Sequence, residues 1–127
     1  IDYALLIPAS VKRELLKQLQ NRGKSQTSIY LWMFSAGVFL VLKPHLPKII
    51  KQREIIIIDT EYTGHDAKIK GMILRHCHNA GLNLSADQVR FEQITKSSGA
   101  HKLAYDILRG KAKANKQIRL EEMLELM

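Results

Sequence analysis

The chain has 127 residues, of which 46% are hydrophobic, and its 20 Lys and Arg against 12 Asp and Glu give a formal net charge of +8. This length fits one domain, and the hydrophobic content excludes a disordered chain. A single cysteine, Cys77, excludes an internal disulfide and favours a reducing compartment. We therefore expect one intracellular domain over residues 1–127, in the cytoplasm or nucleoid, with anionic partners such as DNA or RNA.

The chain opens with the pattern of a short strand followed by a helix. Residues 3–7 are an apolar run that Pro8 ends. Ser10 is a suitable N-cap for the helix, and Gly23 suits the left-handed residue that ends it. The apolar face of this helix contains Val11, Leu15, Leu16 and Leu19.

Residues 27–42 allow two interpretations. One helix would be apolar on every side and therefore buried, whereas two strands, 29–34 and 38–42, would form a hairpin. Length and the lack of alternation favour the helix. The apolar run is shorter than the ~20 residues that span a bilayer, so no membrane partner is expected. Pro44 and Pro47 should end this element.

The remaining elements alternate between strand and helix. Residues 53–62 contain four consecutive isoleucines, which is typical of a strand buried on both faces. A turn and capping box at 63–66 begin a helix that Gly81 closes, and a second strand follows at 88–94. The last helix is expected at residues 100–109.

This order predicts an α/β fold with a small mixed or parallel sheet and helices on its faces. Residues 53–109 would form a βαβα unit with parallel strands. A basic loop is expected at 109–117, followed by an acidic turn at 121–127. Nothing in the pattern sets the oligomeric state.

Acidic residues lie at the carboxyl end of the isoleucine-rich strand and just beyond it, where ligands bind in open parallel sheets. Asp59 and Glu61 are two apart and share a face, and Asp66 lies close in sequence. Together they are candidate ligands for Mg²⁺ or Mn²⁺, the ions that promote phosphodiester hydrolysis. In the alternative interpretation, Asp59 accepts bonds from backbone donors and Asp66 caps the helix.

The second strand leads into a candidate anion site. Lys96, Ser97 and Ser98 precede a predicted helix, where backbone N–H groups, hydroxyls and an ammonium favour phosphate. Either serine is equally a simple N-cap. His101, in the first helical turn, is a candidate general base, metal ligand or phosphate contact, and is equally a simple surface histidine.

Other basic and metal-ligand residue types have simpler interpretations. His76 and His78 lie roughly 200° apart on a helix, so they do not chelate one ion, and Cys77 falls on the apolar face. Further cations suited to phosphate contacts are Lys43, Lys48, Lys51, Arg53 and those of residues 109–116.

This layout resembles the ribonuclease H-like superfamily, whose members bind two metal ions with strand-end carboxylates and cut nucleic acid. The matching residues are Asp59 and Glu61, with His101 and Asp106 on the last long helix, and the resemblance spans residues 53–109. It implies that Asp59, Glu61 and His101 are catalytic.

Three functional hypotheses follow. The first is a nucleic-acid-processing domain, specifically a metal-dependent nuclease. The second is a non-catalytic nucleic-acid-binding or assembly module of a larger protein, in which the same acids are structural. The third is a small-ligand binding domain.

Overall fold

The computed structural model describes residues 5–6, 9–59, 64–92 and 116–127. Its helices in chain order are α1 (Ala9–Gln20), α2 (Gln26–Leu42), α3 (Leu46–Lys51), α4 (Asp66–Asn79) and α5 (Leu120–Glu125). Its strands are β1 (Leu5–Leu6), β2 (Ile56–Asp59), β3 (Val89–Glu92) and β4 (Lys116–Gln117). Two short 3-10 turns are Lys43–His45 and Ala86–Gln88. The described part is therefore helix-rich, with two small pairs of parallel strands.

β2 and β3 organise one end of the described fold. These strands pair in parallel, with Ile56 opposite Val89 and Asp59 opposite Glu92, and α4 connects them in sequence. The described residues thus contain a strand, a helix and a parallel strand in this order, which is compatible with an α/β fold. The last helix of the predicted βαβα unit, residues 100–109, lies outside the described residues.

The isoleucine run of β2 is not buried on both faces, contrary to the sequence prediction. Ile56 and Ile58 are 8% and 7% exposed, whereas Ile55 and Ile57 are 46% and 51% exposed. The run alternates because the described part of the chain covers only one face of this strand pair. The four consecutive isoleucines therefore belong to a half-buried segment, in which alternate side chains face the core.

The apolar segment after α1 is one helix, as the sequence favoured. Ser25 is its N-cap, and the Ser25 hydroxyl oxygen accepts a bond from the Ser28 N–H at 3.2 Å. No residue of α2 is charged, and its side chains pack against α1, α4 and α5. The buried Ser35 hydroxyl is satisfied because it donates to the Leu31 carbonyl at 2.8 Å. This helix therefore forms the centre of the core.

The two prolines end α2 but do not end the helical path. Pro44 lies in the first turn of Lys43–His45, and Pro47 lies in the first turn of α3. Proline is tolerated there because its missing N–H has no partner within the helix. By length and composition the run Gln26–Lys51 is able to cross a membrane, and 67% of its most apolar window is buried inside the protein.

One predicted boundary is confirmed, and three other local predictions are wrong. Gly23 adopts the predicted left-handed conformation with φ of 79°. The predicted capping box at 63–66 is wrong, because the N-cap of α4 is His65 and no side chain bonds there. Residues 116–117, predicted as loop, form β4, which pairs with β1. The predicted C-terminal turn is a helix, in which Met123 is fully buried.

Candidate functional site

The carboxyl ends of β2 and β3 place two acidic residues at the same level. Asp59 and Glu92 are the last residues of their strands and are partners in the parallel register. The Glu92 side chain is exposed. The sequence-based pairing of Asp59 was with Glu61, which lies outside the described residues. Glu92 was missed because the register of two strands is not readable from either one.

An open cleft lies beside this edge. Its volume is about 460 Å³, and the described residues that line it are Asp66, Ala67 and Lys70 of α4 and all four residues of β3. The Asp66 Oδ1 atom is buried and accepts no hydrogen bond from the part of the chain that the structure describes. Asp66 is the first residue of its helix, where the helix dipole stabilises a carboxylate. It is not the N-cap that the alternative interpretation expected.

The residues that the structure describes do not by themselves make a metal centre. No three of their His, Cys, Asp or Glu side chains come together as a ligand group. Mg²⁺ binds in an octahedral shell of oxygen ligands. In this cleft the carboxylates lie beside the cations Lys70 and Arg90, which compete with a metal ion for them. Of the predicted ligands, the structure gives the backbone position of Asp59 and the side chain of Asp66.

The predicted phosphate-binding and proton-transfer residues cannot be placed against this edge. Lys96, Ser97, Ser98 and His101 all lie outside the described residues, as does Asp106, which supported the family resemblance. Their roles stay predictions.

The histidines and cysteine of α4 have structural surroundings. His76 lies between two aromatic rings of α2, with its ring centroid 6.2 Å from that of Trp32 and 5.5 Å from that of Phe39. Burial, and secondarily the charge of Arg75, lowers the pKa of His76, so its imidazole is neutral at physiological pH. Burial raises the pKa of Cys77 to about 11, which disfavours a nucleophilic thiolate. His78 is exposed, so it does not share a ligand site with the buried His76.

A separate basic surface surrounds α3. Lys43, Lys48, Lys51 and Arg53 are all exposed, and no acidic residue interrupts residues 43–53. We call these four residues the cationic strip. Leu46 and Ile49 anchor the segment because their side chains are buried in the core. The charges are therefore held outward on a fixed support.

The strip ends in a turn with unusual backbone geometry. Arg53 has φ of 53°, a left-handed conformation that normally favours glycine. The turn closes α3 with bonds from the Gln52 N–H to the Lys48 carbonyl at 2.9 Å and from the Glu54 N–H to the Ile49 carbonyl at 3.0 Å. This is the pattern of a helix C-terminus in which Arg53 occupies the usual glycine position.

One buried side chain secures this turn from the other side. The Gln88 amide donates to the Ile49 carbonyl at 3.1 Å and to the Glu54 carbonyl at 3.0 Å. Its oxygen accepts from the Ser85 N–H at 3.2 Å, and Gln88 is 8% exposed. The spacing of Ser85 and Gln88 signals the local capping box. The two bonds to a segment more than thirty residues away had no such signal.

Comparison with known proteins assigns no relatives. The chain matches no family model, no curated protein and no solved structure. The ribonuclease H-like resemblance therefore remains a prediction from the order of the sequence elements.

Proposed function

We propose that this protein binds the phosphate backbone of nucleic acid and that the cationic strip is the contact surface. The observation that carries the proposal is the set of four exposed cations over residues 43–53 without a carboxylate among them. Lys48 and Lys51 are three residues apart on α3, so they lie on neighbouring positions of one helix surface. The net charge of +8 adds a general attraction for polyanions.

The aromatic residues of α2 favour backbone contacts over base recognition. Tyr30, Trp32 and Phe34 are partly buried and pack against the core. Single-strand binding proteins stack bases on aromatic side chains placed among their cations, and these three side chains do not form such a platform within the cationic strip. We therefore propose binding that depends strongly on salt and weakly on sequence.

Binding is tested by replacing the three lysines of the strip with glutamine. Affinities for a short fluorescent DNA duplex and a mixed-sequence RNA strand are measured by anisotropy between about 50 and 200 mM salt. The triple variant Lys43→Gln, Lys48→Gln, Lys51→Gln is expected to reduce the slope of log affinity against log salt by about 1 per lysine.

A matched variant controls for lost charge alone. Lys12→Gln, Lys17→Gln and Arg22→Gln remove three exposed cations on and after α1. This variant should bind nearly as the wild type does. Equal losses in the two triple variants would show non-local attraction without a defined surface, and no wild-type binding at the lowest salt would refute the proposal.

Metal-dependent phosphodiester cleavage is the second candidate function. It is favoured by the register of Asp59 with Glu92 and by the buried Asp66 Oδ1 beside the same edge, to which no described residue donates a hydrogen bond. In this candidate, Asp59, Glu61 and Asp66 would hold Mg²⁺ or Mn²⁺. Lys96, Ser97 and Ser98 would contact phosphate, and His101, on the helix predicted from the sequence at residues 100–109, would assist proton transfer.

The decisive variant for cleavage is Asp59→Asn. If the candidate is right, cleavage of DNA or RNA in Mg²⁺ or Mn²⁺ falls by about 100-fold, because an amide is a poor ligand for these ions, while binding persists. Asp87→Asn is the control, since Asp87 is exposed and precedes β3 at its other end. Absence of metal-dependent cleavage by the wild type eliminates this candidate and leaves the binding proposal intact.

A further inference from the structure

Arg53 is unlike the other exposed cations in its backbone. Among the described residues other than glycine, it alone has a positive φ. A side chain at this φ brings Cβ close to the backbone, which is why glycine usually occupies such positions. An arginine persists there only when the surrounding structure fixes the turn.

The surrounding structure does fix it, on both sides. The Arg53 N–H donates to the Ile50 carbonyl at 3.3 Å, and the Glu54 N–H reaches back to Ile49. The Gln88 side chain, in the 3-10 turn that precedes β3, donates hydrogen bonds to the carbonyls of Ile49 and Glu54. The direction in which the backbone presents residue 53 is thus set before any ligand binds.

We infer that Arg53 is the preorganised phosphate contact of the cationic strip and that Gln88 is its positioning residue. The inference rests on the proposed nucleic-acid binding and identifies the group that anchors it. A guanidinium donates two parallel hydrogen bonds to one phosphodiester, which an ammonium does not. The fixed turn sets the backbone direction of residue 53, and a planar guanidinium loses less rotamer freedom per hydrogen bond formed than an ammonium does. The exposed Arg53 side chain makes no ion pair with the other described residues.

Replacing Arg53 with glycine separates a binding role from a structural one. Arg53→Gly is expected to leave the midpoint of urea unfolding equal or higher, because glycine relieves the left-handed strain. The same variant should weaken binding of the DNA duplex about tenfold and reduce the salt slope by about 1. Arg53→Lys should restore the salt slope but not the full affinity, because the paired hydrogen bonds are lost.

Arg22→Gly is the matched control, since Arg22 is an exposed arginine in a turn with no positive φ. It should not raise the unfolding midpoint, and its affinity should stay within about twofold of the wild type. Suppose that the wild type binds the duplex, that the triple lysine variant binds it more weakly, and that Arg53→Gly binds it as the wild type does. The inference is then overturned and the proposed function stands. If the wild type binds no nucleic acid, the proposed function itself fails. A lowered midpoint in Arg53→Gly would contradict the backbone argument.

Discussion

Replacing Gln88 with methionine is expected to lower the free energy of unfolding by about 2–4 kcal/mol. Methionine has a similar length and fills the same space, so the loss isolates the hydrogen bonds. The Ile49 carbonyl, the Glu54 carbonyl and the Ser85 N–H all lose a partner. The Ile49 carbonyl keeps its bond from the Glu54 N–H, so the loss comes mainly from the other two groups. A polar group left without a partner inside the protein is more destabilising than its bond was stabilising.

The Gln88 variant is measured by equilibrium unfolding in urea. Gln20→Met is the control, because Gln20 is exposed at the end of α1 and should change stability by less than about 0.5 kcal/mol. Gln88→Met should also weaken duplex binding, since the Arg53 turn loses its support from the 3-10 turn Ala86–Gln88. A stability change as small as that of the control would show that the turn holds itself.

Replacing Phe39 with alanine should lower the free energy of unfolding by about 3–5 kcal/mol. Phe39 is 1% exposed and contacts the His76 ring, so its removal leaves a cavity between α2 and α4. The variant also tests whether α2 is a core helix or a membrane helix. A helix at the centre of a core loses packing on truncation, whereas a helix facing lipid would lose little.

The single tryptophan provides the probe for this experiment. Trp32 lies edge-on to His76 at the same helix contact, so its fluorescence reports when α2 and α4 separate. Phe34→Ala is the comparison, because Phe34 is only partly buried and its loss should destabilise less. Near-equal, small effects at both positions would contradict the core assignment of α2.

Much of the helical architecture was predictable because it depends on local patterns. An uncharged segment with no alternation predicted α2, and the glycines at 23 and 81 marked the ends of α1 and α4. The exposure of Ile55 and Ile57 was not predictable, because it depends on what covers the other face of the sheet. The parallel pairing of β1 with β4 joins segments more than a hundred residues apart and leaves no local signal.

The candidate site was likewise predictable only in part. Asp59 was identified from its place after an apolar strand, and the lysines near α3 were recognised as basic. The partnership of Asp59 with Glu92 requires the strand register, and the role of Gln88 requires the approach of distant backbone carbonyls. The left-handed φ of Arg53 is a consequence of where α3 ends, which a basic residue in sequence does not reveal.

The pairing of β1 with β4 and the packing of α5 on α1 and α2 have a consequence for biosynthesis. α2 emerges from the ribosome before the residues near position 120, which supply part of its cover. A nascent chain therefore carries an uncharged helix with an open flank until those residues have been translated. We expect such intermediates to engage chaperones, because exposed apolar surface promotes aggregation before α5 is available to pack on α2.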